Sequence, residues 1–259
     1  MALRMADSTL AGVGVLITRP REQAAELTAA IESRAGSAVL LPVMEIVPCD
    51  AARFARELPA PDITAFVSVN AVRCGLQYAA GRIAAVGPAT AAALEAAGRA
   101  ADIAPAAGFD SEHLLAEPEL SDVAGKIIRI IRGQRGRELL ADTLRERGAR
   151  VDYLAVYARV TPAYSADELA ELEGRWRTGL IRAVTIMSVE SLDNLIDILP
   201  ASCRELLLAT PIVTPSARVI KETLARLPGS SPLLASGPQA ADMLDAIVDA
   251  VQRAPGPGK

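Results

Sequence analysis

Two extended stretches, far apart in the chain, constrain its fold more than any single motif does. They are Leu40-Leu41-Pro42-Val43-Met44-Glu45-Ile46-Val47-Pro48 and Leu154-Ala155-Val156-Tyr157-Ala158-Arg159-Val160-Thr161-Pro162. Both are rich in β-branched residues, both end in proline, and neither has a helical apolar period. Each stands where one strongly patterned segment hands over to another. They read as two strands that cross together between two domains, the chain leaving the first through one and returning through the other. The expected boundaries are 1–41 with 163–259 for an outer, discontinuous domain, 49–153 for an inserted domain, and 42–48 with 154–162 for the linker strands. A chain of 259 residues is long enough for two domains of ordinary size.

Between these stretches, short aliphatic runs alternate with amphipathic ones. Strands are expected at Val13–Ile17, Ala38–Leu41, Ile63–Val67, Arg82–Val86, Asp102–Ala104, Lys126–Ile131, Arg150–Tyr153, Ala183–Met187, Leu206–Val213 (broken by Pro211) and Leu233–Ala235. Helices follow most of them. Thr18 is read as the cap of the first, with Gly36 as its stop, and Ser68, Ser188 and Ser216 open later ones. Helical segments are also expected near Ala51–Leu58, from Ala91 to Ala97, at Ala166–Trp176 and at Ala240–Gln252. This alternation implies the α/β class: two similar doubly wound parallel-sheet domains joined by a two-stranded linker. Met1 to Leu10 and the tail from Ala254 are expected to be disordered.

The two lobes repeat each other with the order rotated. Phe66-Val67-Ser68-Val69-Asn70-Ala71-Val72 matches Ile186-Met187-Ser188-Val189-Glu190-Ser191-Leu192, and Val86-Gly87-Pro88-Ala89-Thr90-Ala91 matches Val213-Thr214-Pro215-Ser216-Ala217. Ile131-Arg132-Gly133 matches Thr18-Arg19-Pro20, and Arg150–Tyr153 matches Ala38–Leu41. The offset is about 110–130 residues, far beyond solenoid periods.

Composition excludes several function classes. Half of the residues (51%) are hydrophobic but only 3% are aromatic, so the core must be aliphatic. A formal net charge of −4 speaks against nucleic acid as the main partner, and any anion site must be a local cluster. Cys49, Cys74 and Cys203 are widely spaced, which fits a reduced, cytoplasmic compartment. No signal-peptide pattern opens the sequence, and no apolar run approaches the roughly 20 residues of a membrane span. The single histidine, His113, leaves no pair for metal binding and no triad. Gly12-x-Gly14 precedes its strand, so it is not a dinucleotide fingerprint, and Gly133–Gly136 lacks the Lys-Ser/Thr of a P-loop. Cys74 and Trp176 read as packing residues.

Ligands of open parallel sheets bind beyond the carboxyl ends of the strands. There this chain carries Thr18-Arg19, Ser68-Asn70, Gly87-Thr90, Arg132-Gly133, Ser188-Ser191 and Thr214-Ser216. Each begins or precedes a helix, whose open N–H groups and positive end favour carboxylates or phosphates. Taken singly, each hydroxyl is accounted for by helix capping; together they favour one shared site between the lobes. Arg19, Arg21, Arg132, Arg135 and Arg137 could pair with ligand carboxylates, or be solvated at helix starts. Tyr157 could donate a proton to a departing hydroxyl, or be a packed linker residue.

These landmarks, with Leu41-Pro42-Val43, Ile46-Val47-Pro48, Gly148-Ala149-Arg150-Val151 and Val156-Tyr157-Ala158-Arg159, resemble the uroporphyrinogen-III synthase family from Gly14 to about Val251. The resemblance implies a cytoplasmic enzyme of tetrapyrrole synthesis that works without metal or organic cofactor. It implies closure of linear hydroxymethylbilane to uroporphyrinogen III, with loss of water and inversion of ring D through a spiro intermediate. The substrate would be a linear tetrapyrrole handed over by the preceding pathway enzyme, and the enzyme a monomer that binds neither nucleic acid nor membrane. The family's tyrosine on the returning connector falls on Tyr157. Its ligand-contacting turns fall on Ser68, Asn70, Gly87, Thr90, Arg132 and Gly133, and on Ser188 and Ser216 in the outer lobe; Arg19 joins them as a carboxylate partner. The outer-lobe turns depart from the family pattern, reading Met187-Ser188-Val189-Glu190-Ser191 and Val213-Thr214-Pro215-Ser216-Ala217. The alternatives are a non-catalytic two-domain binding module for an anionic small molecule, and a regulator that kept the fold and lost activity.

Overall fold

The computed structural model describes residues 9–106, 108 and 110–254. The chain divides into two units, one made of the residues up to Glu45 together with those from Thr161 onward, the other running from Ile46 to Val160.

In the first unit the strands are β1 (Gly14–Ile17), β2 (Ser37–Leu40), β8 (Ile181–Thr185), β9 (Ile212–Thr214) and β10 (Pro232–Leu234); in the second they are β3 (Glu45–Pro48), β4 (Ile63–Phe66), β5 (Arg82–Ala85), β6 (Ile127–Gly133) and β7 (Arg150–Val160). The first sheet has the order β10-β9-β8-β1-β2 and the second β3-β7-β6-β4-β5. All four adjacent pairs of the first sheet are parallel, as are β7–β6, β6–β4 and β4–β5 of the second.

Successive side chains of a strand face opposite ways, so a strand covered on both sides must be apolar throughout. In β1, Val15 and Ile17 pack with Leu27 and Ile31 of α1 (Ala25–Glu32) and Met243 and Ile247 of α11 (Ala240–Arg253). Leu16, on the other face, packs with Trp176 of α7 (Ala166–Arg177), Leu192 of α8 (Val189–Ile198), Leu207 of α9 (Arg204–Ala209) and Val219 of α10 (Ala217–Arg226). The second unit repeats the arrangement. Ile128 and Ile130 of β6 pack with α5 (Ser111–Leu115) and α6 (Leu139–Glu146). Ile131 and Phe66 pack with α3 (Val69–Gly75) and α4 (Pro88–Ala96), near α2 (Ala52–Glu57). Each unit is therefore a three-layer α/β sandwich, as the sequence pattern implies.

The rotated repeat is visible in the strand order. β8, β9, β1 and β2 hold the places of β4, β5, β6 and β7. Even β10 has a counterpart: Ile103 forms an isolated parallel bridge to Ala84, beyond β5. The strand expected at Asp102–Ala104 shrinks to that bridge, partly because the Asp102 carboxylate accepts the Ile83 N–H that a ladder would otherwise use. In both units two chain excursions leave neighbouring strands in opposite directions: β4 to β5 and β6 to β7, β8 to β9 and β1 to β2. That divergence opens a crevice at the carboxyl ends of the central strands, the topological switch point of a doubly wound sheet.

Several sequence expectations need correction. Thr18 is not a helix cap; it is buried, and its hydroxyl donates to the Thr185 carbonyl at 2.6 Å, fastening β1 to β8. The first helix is preceded by a short 3-10 turn at Arg21–Gln23. Its left-handed exit residue is Ala35, at φ 59°, and not Gly36. Gly36 is small for another reason: a β-carbon there would lie 2.9 Å from Ile31 Cγ2 and 3.0 Å from Leu10 Cβ. Leu10 is fully buried, so the order of the chain begins before the expected point; Met1–Ser8 and the tail beyond Ala254 lie outside the described residues. The expected strand over Leu206–Val213 is α9 followed by β9, with Pro211 between them. β6 continues through Arg132 and Gly133, which were expected in a turn, because β7 is long enough to pair with them.

Candidate functional site

A cavity of about 580 Å³ opens at the switch point of the second unit, between the ends of β4 and β6. Val67 and Ser68 follow β4, Arg132 and Gly133 end β6, and Tyr153, Tyr157 and Arg159 come from β7. Arg135 and Arg137 reach it from the segment leading to α6, and Asp110 and Ser111 from the start of α5.

Tyr157 sits where the two ladders fall out of step. Arg132 pairs with Ala155, but Gly133 pairs with Tyr157, so Val156 is an extra residue on β7. Such a bulge re-aims a side chain, and bulges recur beside active sites. Here it lets the neighbours Val156 and Tyr157 join the same buried cluster. The ring of Tyr157 is 3% exposed, and its hydroxyl lies 3.2 Å from Ser68 Oγ. Ser68 is fixed in turn, since its Oγ accepts the Ala71 N–H at 3.0 Å as the N-cap of α3. Gly133 lies against the ring; a β-carbon there would be 2.8 Å from Tyr157 Cε2 and 3.2 Å from its hydroxyl oxygen.

The opposite wall is cationic. Arg132 is buried and donates from Nη1 to Glu138 Oε1 at 2.9 Å. Its guanidinium lies 4.6 Å from the centre of the Tyr153 ring, with Arg145 at 5.3 Å from the same ring. The Tyr153 hydroxyl donates to the other oxygen of Glu138. Those two hydrogen bonds, Tyr153 first and then Arg132, hold the Glu138 carboxyl below the usual carboxylate range. Burial and the adjacent carboxylate push the Tyr153 phenol up. On the acidic side, Asp110 caps α5 and pairs with His113 Nδ1 at 2.5 Å.

The structure thus gathers Ser68, Arg132, Gly133 and Tyr157 around one cavity. Asn70, Gly87 and Thr90 do not line it. Asn70 lies in the first turn of α3, Gly87 is the N-cap of α4, and Thr90 is buried within that helix. Arg19 and Ser188 belong to the first unit, at the ends of β1 and β8, its own switch point, and Ser216 follows β9. Arg19 Nη2 donates to the Pro238 carbonyl at 2.8 Å, while its Nε is buried without a hydrogen-bond partner. Burial lowers its pKa. Ser188 caps α8, its Oγ accepting the Ser191 N–H at 3.1 Å, and Ser216 caps α10 more loosely, at 3.4 Å from the Val219 nitrogen. Ser188→Ala is expected to lower stability by about 1 kcal/mol. Urea unfolding checks this as a lower midpoint at unaltered slope.

Glu138 and Tyr153 escaped the sequence reading. Tyr153 and Tyr157 both lie on the return strand and both line the cavity, which was a readable hint. Nothing local pointed to Glu138. Among the described residues no group of three or more His, Cys, Asp or Glu side chains is placed to hold a metal ion. No helix there is long and apolar enough to cross a membrane.

A family model described as "Uroporphyrinogen-III synthase HemD" matches residues 25–245. The chain belongs to the uroporphyrinogen-III synthase family. The curated uroporphyrinogen-III synthase of Salmonella typhimurium is 33% identical over 216 residues, 74% of this chain and 82% of that one. The one from Escherichia coli is 38% identical over 121 residues, 47% of this chain and 48% of that one. Solved structures share the architecture. A mutant uroporphyrinogen III synthase of Thermus thermophilus superposes with a TM-score of 0.57 at 21% identity, over 93% of this chain and 99% of that one. A uroporphyrinogen-III synthetase of Helicobacter pylori does so at 0.60 and 12%, over 92% and 99%. At these identities the likeness is one of fold. Membership in the uroporphyrinogen-III synthase family makes this chain an enzyme of porphyrin biosynthesis.

Proposed function

We propose that this protein closes hydroxymethylbilane to uroporphyrinogen III at the switch-point cavity of the second unit, with Tyr157 as the acid that assists the departing hydroxyl. The observation that carries this reading is the Tyr157 phenol held between Ser68 and Gly133 in the lining of a crevice that four arginines also line. Ionisation of a pyrrolylmethanol needs one proton delivered to the leaving oxygen, which departs as water; a phenol within hydrogen-bonding reach can supply it. The cation left behind is attacked by the substituted carbon of ring D to give a spiro intermediate. The bond from that carbon to its original methylene then breaks, the freed methylene bonds to the unsubstituted carbon, and the proton lost from that carbon restores the phenol. Most of the catalytic demand is geometric, since the folded bilane must present that carbon rather than the unsubstituted end.

The substrate carries eight carboxylates, which accounts for a cationic wall in a chain of net charge −4. Ser68 and Gly133 flank the acid, and Arg132 adds positive charge to the wall. In this reading Asn70, Gly87 and Thr90 of the second unit offer further contacts to the periphery of the substrate. The chain acts as a cytoplasmic monomer, without cofactor, on a linear tetrapyrrole received from the preceding enzyme.

The deciding experiment supplies hydroxymethylbilane and separates the product isomers by chromatography. The expected product is isomer III in excess. Isomer I alone, the outcome of uncatalysed closure, would leave a binding or regulatory module as the reading.

A further inference from the structure

Four arginines line the cavity, Arg132, Arg135, Arg137 and Arg159, and their surroundings differ. Arg132 is committed inside the protein. Glu138 occupies its Nη1 at 2.9 Å, and the Tyr153 ring covers one face of its guanidinium. The loop that follows β6 passes so close to the other amino group that a β-carbon on Gly136 would lie 2.7 Å from Nη2. Arg137 reaches Glu112 at 3.6 Å, and Arg159 also has a partner. Among the described residues Arg135 is the one arginine of the four with no hydrogen-bond or ion-pair partner. It is exposed, and it lines both this cavity and a smaller adjoining one of about 340 Å³.

We propose that Arg135 is the side chain that grips a substrate carboxylate in this cavity, and that Arg132, Glu138 and Tyr153 are positioning residues that hold the loop carrying it. The inference deepens the tetrapyrrole reading above and rests on it for the identity of the ligand. The buried guanidinium of Arg132, near the end of β6, is tied to Glu138 at the far end of the loop by a hydrogen bond, and the backbone at Gly136 passes close beside it. Glu138 is itself shared, one oxygen on Arg132 and the other on the Tyr153 hydroxyl. An arginine on a tethered loop loses less freedom on binding than one on a mobile loop, so the tether strengthens every contact Arg135 makes. An arginine–carboxylate pair of this kind can form two parallel hydrogen bonds.

The test is a fluorescence titration of the full chain with uroporphyrin III, an octacarboxylate whose binding needs no turnover. Arg135→Gln raises the Kd about tenfold or more, and flattens its dependence on salt. Arg135→Lys recovers part of the loss. Arg135 is exposed, so the unfolding midpoint stays at the wild-type value. Glu138→Gln raises the Kd about threefold to tenfold in the wild-type background, and by much less in the Arg135→Gln background, because the tether acts through Arg135. In the steady-state reaction Arg135→Gln moves KM far more than kcat.

Two results overturn the inference: an Arg135→Gln Kd within twofold of wild type, or a Glu138→Gln variant that binds more tightly. The second would mean that Glu138 withholds Arg132 from the ligand. The isomer assay separates this from the broader reading. A chain that binds uroporphyrin through Arg135 but forms only isomer I refutes the activity and keeps the inference. A chain that forms isomer III with an indifferent Arg135 does the reverse.

Discussion

Tyr157→Phe lowers kcat by about a hundredfold or more, the range expected when a positioned general acid is removed, and leaves affinity for product nearly unaltered. The substitution keeps the ring, which is what packs against Gly133 and the cluster containing Val156 and Phe66. It deletes one oxygen, whose protein partner is Ser68 Oγ at 3.2 Å. Ser68 keeps its other bond, to the Ala71 N–H, so α3 stays capped and no buried donor is stranded. The fold therefore tolerates the change at a cost of about 1 kcal/mol or less. What disappears is the proton donor alone. Single-turnover kinetics, with the product isomers resolved, separate this from slow product release. Turnover within twofold of wild type would remove Tyr157 from the chemistry.

The same residues show why some of this site was legible in the sequence and some was not. The caps at Ser68, Ser188 and Ser216 were readable because capping is local: a hydroxyl at a strand end accepts an N–H three residues on. Thr18 has the same local look, but its hydroxyl goes to Thr185, on a strand 167 residues away. Nothing near Thr18 encodes that choice. The run Leu206–Val213 was misread because a short aliphatic segment carries no period that separates strand from buried helix. Arg132 was placed in a turn because its strand ends by pairing with β7, and the length of a ladder belongs to both strands. Glu138 became visible only when β6, β7 and the start of α6 were brought together, since both of its hydrogen bonds join different elements. The rotated repeat, by contrast, was legible because strand-end turns recur in order, and both sheets preserve that order.

Gly133→Ala is expected to impair turnover about as severely as Tyr157→Phe, though it deletes no chemical group. The added β-carbon meets Tyr157 Cε2 at 2.8 Å and Cζ at 2.9 Å, distances that real contacts do not sustain. Gly133 is held by its pairing to Tyr157 in the ladder, and the Gln134 N–H donates to the Tyr157 carbonyl at 2.9 Å, so backbone retreat is resisted. The ring must move, and its hydroxyl moves with it, away from Ser68. A misplacement of about 1 Å at a reacting group can cost on the order of a hundredfold in rate, and overpacking a buried site costs about 1–3 kcal/mol in stability. The double variant tests whether displacement of the hydroxyl is the cause. If it is, adding Gly133→Ala to Tyr157→Phe lowers kcat little further, because the group being displaced is already gone. Fully multiplicative rate losses would show instead that Gly133 acts on the substrate directly, through the space its missing side chain leaves open.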